Sequence, residues 1–314
     1  MRKTQTIRIK KLRVRQALAS TCLTFKEFLI MGSGSFSFSD YSRYSRSMGK
    51  SVDDTTKRVS GQTYTAVRID KSLDPKNVIR ECANNDEHPN TVPVILALDV
   101  TGSMGAACKE TAEALGVIMT NLYDKFKDIE FCVMGIGDLA YDRAPIQMSQ
   151  FESDVRIAEA LDKLYMEHGG GGNGFESYTA AWYMGLRHTK LDAFDKQGRK
   201  GIIITMGDEP LNPYLPAYQL ANVTGDSLHK DVNTNDLYKQ VVDKFDIFHI
   251  AIKDPSSAYN FYDTAINRSF GNVLGDRLKV STIQELPGTI CSCIEESING
   301  SSTTYVDENG AIYW

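Results

Sequence analysis

From residue 91 onward, apolar positions follow two alternating rhythms. Four continuous apolar runs of strand length occur: Val92–Leu98, Ile129–Ile136, Gly201–Met206 and Phe248–Ile252. Unbroken runs of this kind predict strands buried on both faces. Between the first two, Cys108, Ala112, Leu115, Met119, Leu122 and Phe126 recur at intervals of three and four, which places one apolar stripe on a helix. Four further stripes follow: Ala158, Leu161 and Tyr165; Tyr178, Ala181, Trp182, Gly185 and Leu186; Leu237, Val241, Val242 and Phe245; and Leu286, Ile290, Cys293 and Ile294. Ala144–Phe151 alternates weakly and predicts a short edge strand, and Val273–Ser281 is expected to supply the last strand. Strands that alternate with helices predict a doubly wound α/β domain over 91–298, a mostly parallel sheet with helices on both faces.

The flanks differ. Residues 32–60 are rich in Ser, Gly and Tyr, and residues 1–60 as a whole predict a flexible arm with too little apolar surface to offset its ordering entropy. Residues 61–90 are polar and turn-rich and are expected to pack on the domain as an extension. Residues 299–314 form a tail ending in Tyr313-Trp314.

Charge and composition narrow the function classes. The chain has 314 residues and a net charge of −5, yet residues 1–30 carry eight Lys/Arg against one Glu, leaving about −12 for the rest. A folded body this acidic argues against nucleic-acid binding, whose affinity comes from clustered cations. No apolar run is long enough for a membrane-spanning helix, and Ser20, Thr21, Lys26 and Glu27 interrupt the only candidate signal segment. The six cysteines contain no CxxC pair, which leaves buried reduced thiols in a cytoplasmic protein as the expectation.

The four strand runs share one further property, which is where they stop. Each is followed by an aspartate: Asp99, Asp138, Asp208 and Asp254. In open α/β sheets, ligands bind outside the carboxyl ends of the strands, and a row of carboxylates there attracts cations. For Asp138 and Asp254, turn chemistry is the simpler reading. In Asp99-Val100-Thr101-Gly102-Ser103, by contrast, one carboxylate and two hydroxyls alternate along the loop that opens the first helix. These are hard oxygen donors suited to Mg²⁺, and less specifically to Mn²⁺ or Ca²⁺. An N-cap by Thr101 or Ser103 and a turn at Asp99 would account for the same residues. Two distal loops add weight to the metal reading. His168 precedes Gly169-Gly170-Gly171-Gly172-Asn173-Gly174-Phe175-Glu176, and Thr205-Met206-Gly207-Asp208-Glu209 closes the third core strand.

These residues resemble the von Willebrand factor A (VWA) domain with its metal-ion-dependent adhesion site, in its bacterial, phage and hemicentin-like branch. The family pattern is Asp-x-Ser/Thr-x-Ser, a glycine-rich second loop with an acidic residue or Thr, and a third-loop Asp. Asp99, Thr101, Ser103 and Asp208 match it. Asn173 stands where that branch has Asp, so the fourth ligand is either Asn173 or Glu176. The resemblance covers about residues 90–298 and implies a Mg²⁺-type cation held by these side chains with a position left for a partner's Asp or Glu. It also implies a protein-binding role without catalysis, with a MoxR-type AAA+ ATPase as one partner class.

Two other classes stand beside it. A phage structural or accessory protein could use the same surface for assembly. A Mg²⁺-dependent hydrolase is disfavoured, because Thr101 occupies the position where a haloacid-dehalogenase phosphatase needs a second aspartate. There is also no GxxxxGK[ST] loop, and His88, His168, His188, His229 and His249 show no HExxH pairing. The insertion 211–234 is expected to join the partner-contact surface.

Overall fold

A computed structural model describes residues 34–167 and 173–301, with two short paired strands beyond them at Tyr305–Val306 and Ile312–Tyr313. The basic residues 1–30, His168 and Gly169–Gly172 lie outside the described residues.

The predicted apolar runs assemble into one six-stranded sheet: β1 (Val92–Asp99), β2 (Ile129–Ile136), β3 (Ile146–Glu152), β4 (Gly201–Gly207), β5 (Phe245–Ile252) and β6 (Leu278–Ser281). Their spatial order is β3-β2-β1-β4-β5-β6. All neighbours run parallel except edge strand β3, which is antiparallel to β2. This is the doubly wound arrangement, and its strand order reverses between β1 and β4.

Alternation along β1 explains why the run had to be apolar throughout. Val94, Leu96 and Leu98 enter one core, and Ile95 and Ala97 the other. The first core is closed by α2 (Gly105–Glu113), α3 (Leu115–Tyr123), α4 (Arg156–Lys163) and α9 (Leu286–Ser301), introduced here with α1 (Phe38–Ser47) preceding them in the chain. The second core is closed by α5 (Thr179–Arg187), α6 (Ala217–Thr224), α7 (Thr234–Val241) and α8 (Tyr259–Leu274). None of these helices is long and apolar enough to cross a membrane.

Three expectations are corrected. The stripe Cys108–Phe126 is two helices, α2 and α3, broken at Ala114 (φ −93°, ψ 2°). The last strand is confined to Leu278–Ser281, because Val273 and Leu274 finish the long helix α8. Within the presumed arm, residues 34–60 fold. Ser37 caps α1 by accepting from Asp40 N, and a hairpin follows at Ser51–Asp53 and Arg58–Ser60. The composition argument failed there because it counted serines and overlooked spacing. Tyr41 is buried and donates to Ala112 O (3.0 Å), Tyr44 donates to Asp162 Oδ2 (3.0 Å), and Arg58 grips Glu110 through both guanidinium nitrogens at 2.9 and 2.6 Å. Gly116 makes this docking possible, since a Cβ there would meet Lys57 O at 2.3 Å.

The following stretch also packs on the domain. Leu73 and Cys82 are fully buried, and Arg80–Cys82 pairs in parallel with Thr189–Leu191. The insertion 211–234 holds α6 and a two-stranded ribbon of Tyr214–Leu215 with Val232–Asn233. Cys82, Cys108, Cys132, Cys291 and Cys293 are buried free thiols.

Candidate metal centre at the carboxyl edge of the sheet

Register fixes the first two acids. Leu98 of β1 pairs with Met206 of β4, so both strands end at the same level, and Asp99 and Asp208 leave them on either side of the switch point. Both carboxylates are fully buried. The loop after β1 folds back on Asp99, whose Oδ1 accepts from Thr101 N (2.9 Å) and Thr101 Oγ1 (2.5 Å). Tyr178, at the start of α5, donates its phenol to Asp99 Oδ2 (2.8 Å) and accepts from Glu209 N (3.3 Å). Ser103 is exposed and donates to Asp208 Oδ1 (3.2 Å), while Ala258 N, leading into α8, donates to Asp208 Oδ2 (2.6 Å).

The protons of both loop hydroxyls therefore go to carboxylates, and the hydroxyl oxygens keep their lone pairs. Neither Thr101 nor Ser103 acts as a side-chain helix cap. Gly207 leaves room for this arrangement, because a Cβ there would strike the Tyr178 phenol at 2.1 Å.

The second loop divides its two candidates. Glu176 is buried and forms a β-bridge with Leu211 of the third loop, and its Oε2 has no hydrogen-bond partner. Asn173 is exposed. Its side chain accepts from Phe175 N at 3.4 Å and lies near enough to Asp138 to favour that carboxylate's charged form, with no hydrogen bond to Asp99 or Asp208. Asp138 caps Ala140 N (2.7 Å), as its turn reading expected, but it is itself buried with Oδ2 unpartnered. Asp254 turns its carboxylate onto Ser256 of its own loop (2.9 Å to N, 2.5 Å to Oγ) and takes no part in the centre.

Electrostatics at this edge run one way. Burial, then the charge of Asp208, pushes the Asp99 carboxyl up against the hydrogen bonds from Thr101 and Tyr178. Burial raises Asp208, and burial followed by Asp208 and Asp138 pushes Glu209 up to about 7. Glu176 is raised furthest, by burial and then by Asp99, Glu209, Asp142 and Asp138. Burial also raises Asp142, to about 6. Among the described residues, none of these carboxylates has a salt-bridge partner. Nor do three His, Cys, Asp or Glu side chains stand close enough together there to ligate one ion. What this edge offers is mixed: two carboxylates and two hydroxyls, with Glu176 alongside.

Sequence reasoning missed Tyr178, whose helical spacing marked it as core, and Glu209, whose adjacency to Asp208 was a usable signal.

No known protein family matches the chain, and no curated protein matches it by sequence. Similar solved structures include the pilus adhesin SpaC from Lactobacillus rhamnosus GG, with 13% identity, a TM-score of 0.42, and coverage of 73% of this chain and 32% of that one. Another is the vWF domain of the type V pili tip protein Mfa5 from Porphyromonas gingivalis (11% identity, TM-score 0.38, 67% of this chain and 96% of that one). A third is a mutant of the PilB minor pilin from Streptococcus sanguinis (10%, 0.41, 67% and 63%). The chain thus spans about a third of the length of SpaC. Likeness this remote says nothing of the chemistry of the site.

Proposed function

We propose that the chain is a protein-binding module of the VWA type that holds a divalent cation, Mg²⁺ foremost, at Asp99, Thr101, Ser103 and Asp208. Glu176 is the nearby carboxylate that adjusts the net charge, and Asn173 stays outside the set. One observation carries the reading: buried acids crowd the switch point without a cation from the described residues, while the two hydroxyls beside them direct their protons into carboxylates. Buried carboxylates in such a position either take up protons or share a cation. Hydroxyl and carboxylate oxygens without His or Cys form a hard donor set.

A bound divalent ion would relieve the repulsion and offer a coordination position to a partner's carboxylate. The chain's own part is to orient and to exclude water. Tyr178 fixes the Asp99 carboxylate, the amide before α8 fixes Asp208, and the first loop presents Ser103 to solvent.

The test uses Mn²⁺ as a paramagnetic probe on the full chain. Water-proton relaxation is expected to show a saturable site that Mg²⁺ competes for, and an Asp-containing peptide is expected to displace metal-bound water. A relaxation titration identical in wild type and Thr101→Val/Ser103→Ala would overturn the assignment.

A further inference from the structure

We infer that Tyr141, Phe261 and Tyr262 form an aromatic rim around this centre that selects a protein segment whose acidic residue has a bulky apolar neighbour. This inference rests on the metal-dependent reading above.

The distribution of exposed rings carries it. Among the described residues four aromatic side chains are largely exposed: Tyr141, Tyr214, Tyr218 and Phe261. Tyr141 leaves the end of β2, Tyr214 and Tyr218 follow β4, and Phe261 follows β5. All four therefore sit on connections from the carboxyl edge of the sheet. The other large apolar side chains exposed among the described residues, Met48, Val67, Ile79 and Val280, are not aromatic. Exposed aromatics cost solubility and are the residues that interfaces concentrate.

Three aromatic residues stand on the turns that carry or hold this edge's acids. Tyr141 occupies the turn between Asp138 and Asp142, with its N–H on Asp138 O (3.2 Å). Phe261 and Tyr262 are in the first turn of α8, three and four residues past the Ala258 amide that holds Asp208. Phe261 packs edge-on against Tyr262 (centroids 4.7 Å apart, planes at 84°), which stiffens the pair. The Tyr262 phenol lies where a side chain at Gly174 would meet it at 3.1 Å, so the same ring reaches the second loop.

A carboxylate arriving at a cation here comes in over the turns that carry these rings. An acidic centre bare of metal repels such a segment, and a divalent ion would cancel the charge of Asp99 and Asp208 and offer the segment's carboxylate a coordination position. The occupant that satisfies both the charge and the rings is an acidic residue next to an aromatic or branched aliphatic one.

The experiment pans a displayed library of random heptapeptides on the full chain, in Mg²⁺ and in EDTA. It compares wild type with Phe261→Ser, Tyr141→Ser and, as a control on edge strand β6, two strands beyond β4, Val280→Ser. All three positions are exposed, and Mg²⁺ uptake is followed by calorimetry. The expected result is Mg²⁺-dependent enrichment of Asp or Glu beside an apolar residue. That bias should vanish in Phe261→Ser and persist in Val280→Ser, with Mg²⁺ uptake unchanged. The best peptide should lose about tenfold in affinity for Phe261→Ser. Acidic peptides without neighbour bias, or a bias that survives Phe261→Ser, would overturn the rim and leave the metal reading standing. Basic peptides enriched equally in Mg²⁺ and in EDTA would remove both. No enrichment at all would also overturn the rim, and Mg²⁺ uptake would then decide the metal reading separately.

Discussion

The two ends of the sheet both collect acids, and they handle them differently. At the amino end of β2 stand Asp128, Glu130, Glu152 and Asp154. Arg156 pairs there with Glu152 Oε2 (2.9 Å) and Asp154 Oδ1 (2.8 Å), and His88 faces Asp128 (3.3 Å). At the carboxyl end stand Asp99, Asp138, Asp142, Glu176, Asp208 and Glu209, with hydroxyl and amide donors but, among the described residues, no salt-bridge partner. The first cluster carries a fixed counter-charge, Arg156, in the same chain. The second is built as though its counter-charge comes from outside. Acid count therefore does not separate the two ends, whereas the presence of an ion-pairing side chain among the described residues does.

The largest effect should come from neutralising the outward-looking cluster. Asp99→Asn/Asp208→Asn is expected to lower Mg²⁺ affinity more than ~100-fold by calorimetry, beyond the loss that outer-shell changes produce. The same variant should melt higher than wild type in EDTA, because two buried like charges are gone. A lower melting temperature in EDTA would show that the acids are already compensated.

The inward-compensated cluster should behave the opposite way. Arg156→Gln strands two partly buried carboxylates and should cost about 3 kcal/mol in urea unfolding. The cost should be the same in Mg²⁺ and in EDTA. A Mg²⁺-dependent difference would mean that the two ends communicate or that both take ions.

Glu130 sharpens the contrast through pH. It is buried, one oxygen lacks a partner, and burial pushes its carboxyl up to about 7 despite Cys82, His88 and Arg156. A folded value above the unfolded one means that the native state holds the extra proton. The stabilisation is thus complete below about 4.5 and is lost as pH rises through about 7. Glu130→Gln should therefore match wild type near pH 4.5 and exceed it by roughly 3 kcal/mol at pH 8. Equal pH slopes in chemical denaturation would refute this.

Tyr178 links the outward-looking cluster to the core. Its ring lies edge-on to His249 (5.1 Å), which stacks on Phe270 (3.6 Å, 9°), so a column of buried rings supports the phenol on Asp99. Tyr178→Phe keeps that column and removes one hydrogen bond. The expected result is about a tenfold loss of Mg²⁺ affinity for about 1 kcal/mol of stability. Metal affinity unchanged by the hydroxyl's removal would reduce Tyr178 to packing.

Much of this architecture was legible in the chain because strands buried on both faces leave no choice of residue. The runs that became β1, β2 and β4 stand where their apolar character put them, and the alternating Asp-x-Thr-x-Ser loop places its oxygens beside Asp99 and Asp208. What could not be read depended on contacts across the chain. The first helix hides Tyr41 and Tyr44 among serines and is held by Gly116, Ala112 and Asp162, residues 68 to 121 positions away. Helix α8 has an apolar side too narrow to distinguish from an approach to a strand: among its sixteen residues only Tyr259, Ile266, Phe270 and Leu274 are buried. Asn173 and Glu176 are three residues apart and looked equivalent, until the bridge to Leu211 drew one inward and the other stayed beside Asp138.

The smallest expected effect discriminates between the strand-end aspartates themselves. Asp254 ends its run as Asp99 and Asp208 end theirs, but its carboxylate accepts from Ser256 N and Oγ, and these local hydrogen bonds hold it below the usual carboxylate range. Asp254→Ala should cost no more than about 1 kcal/mol, the worth of a turn-capping group in solvent, and should leave Mg²⁺ affinity unchanged. The reason is topological. Asp99 and Asp208 flank the place where the strand order reverses, whereas Asp254 follows β5, one strand further out, where α8 has already begun to cover the edge. If Asp254→Ala weakened Mg²⁺ binding as much as Asp208→Ala, position relative to the switch point would not be what makes an aspartate a ligand. The contrast between compensated and uncompensated acids would then have to be redrawn around the whole row.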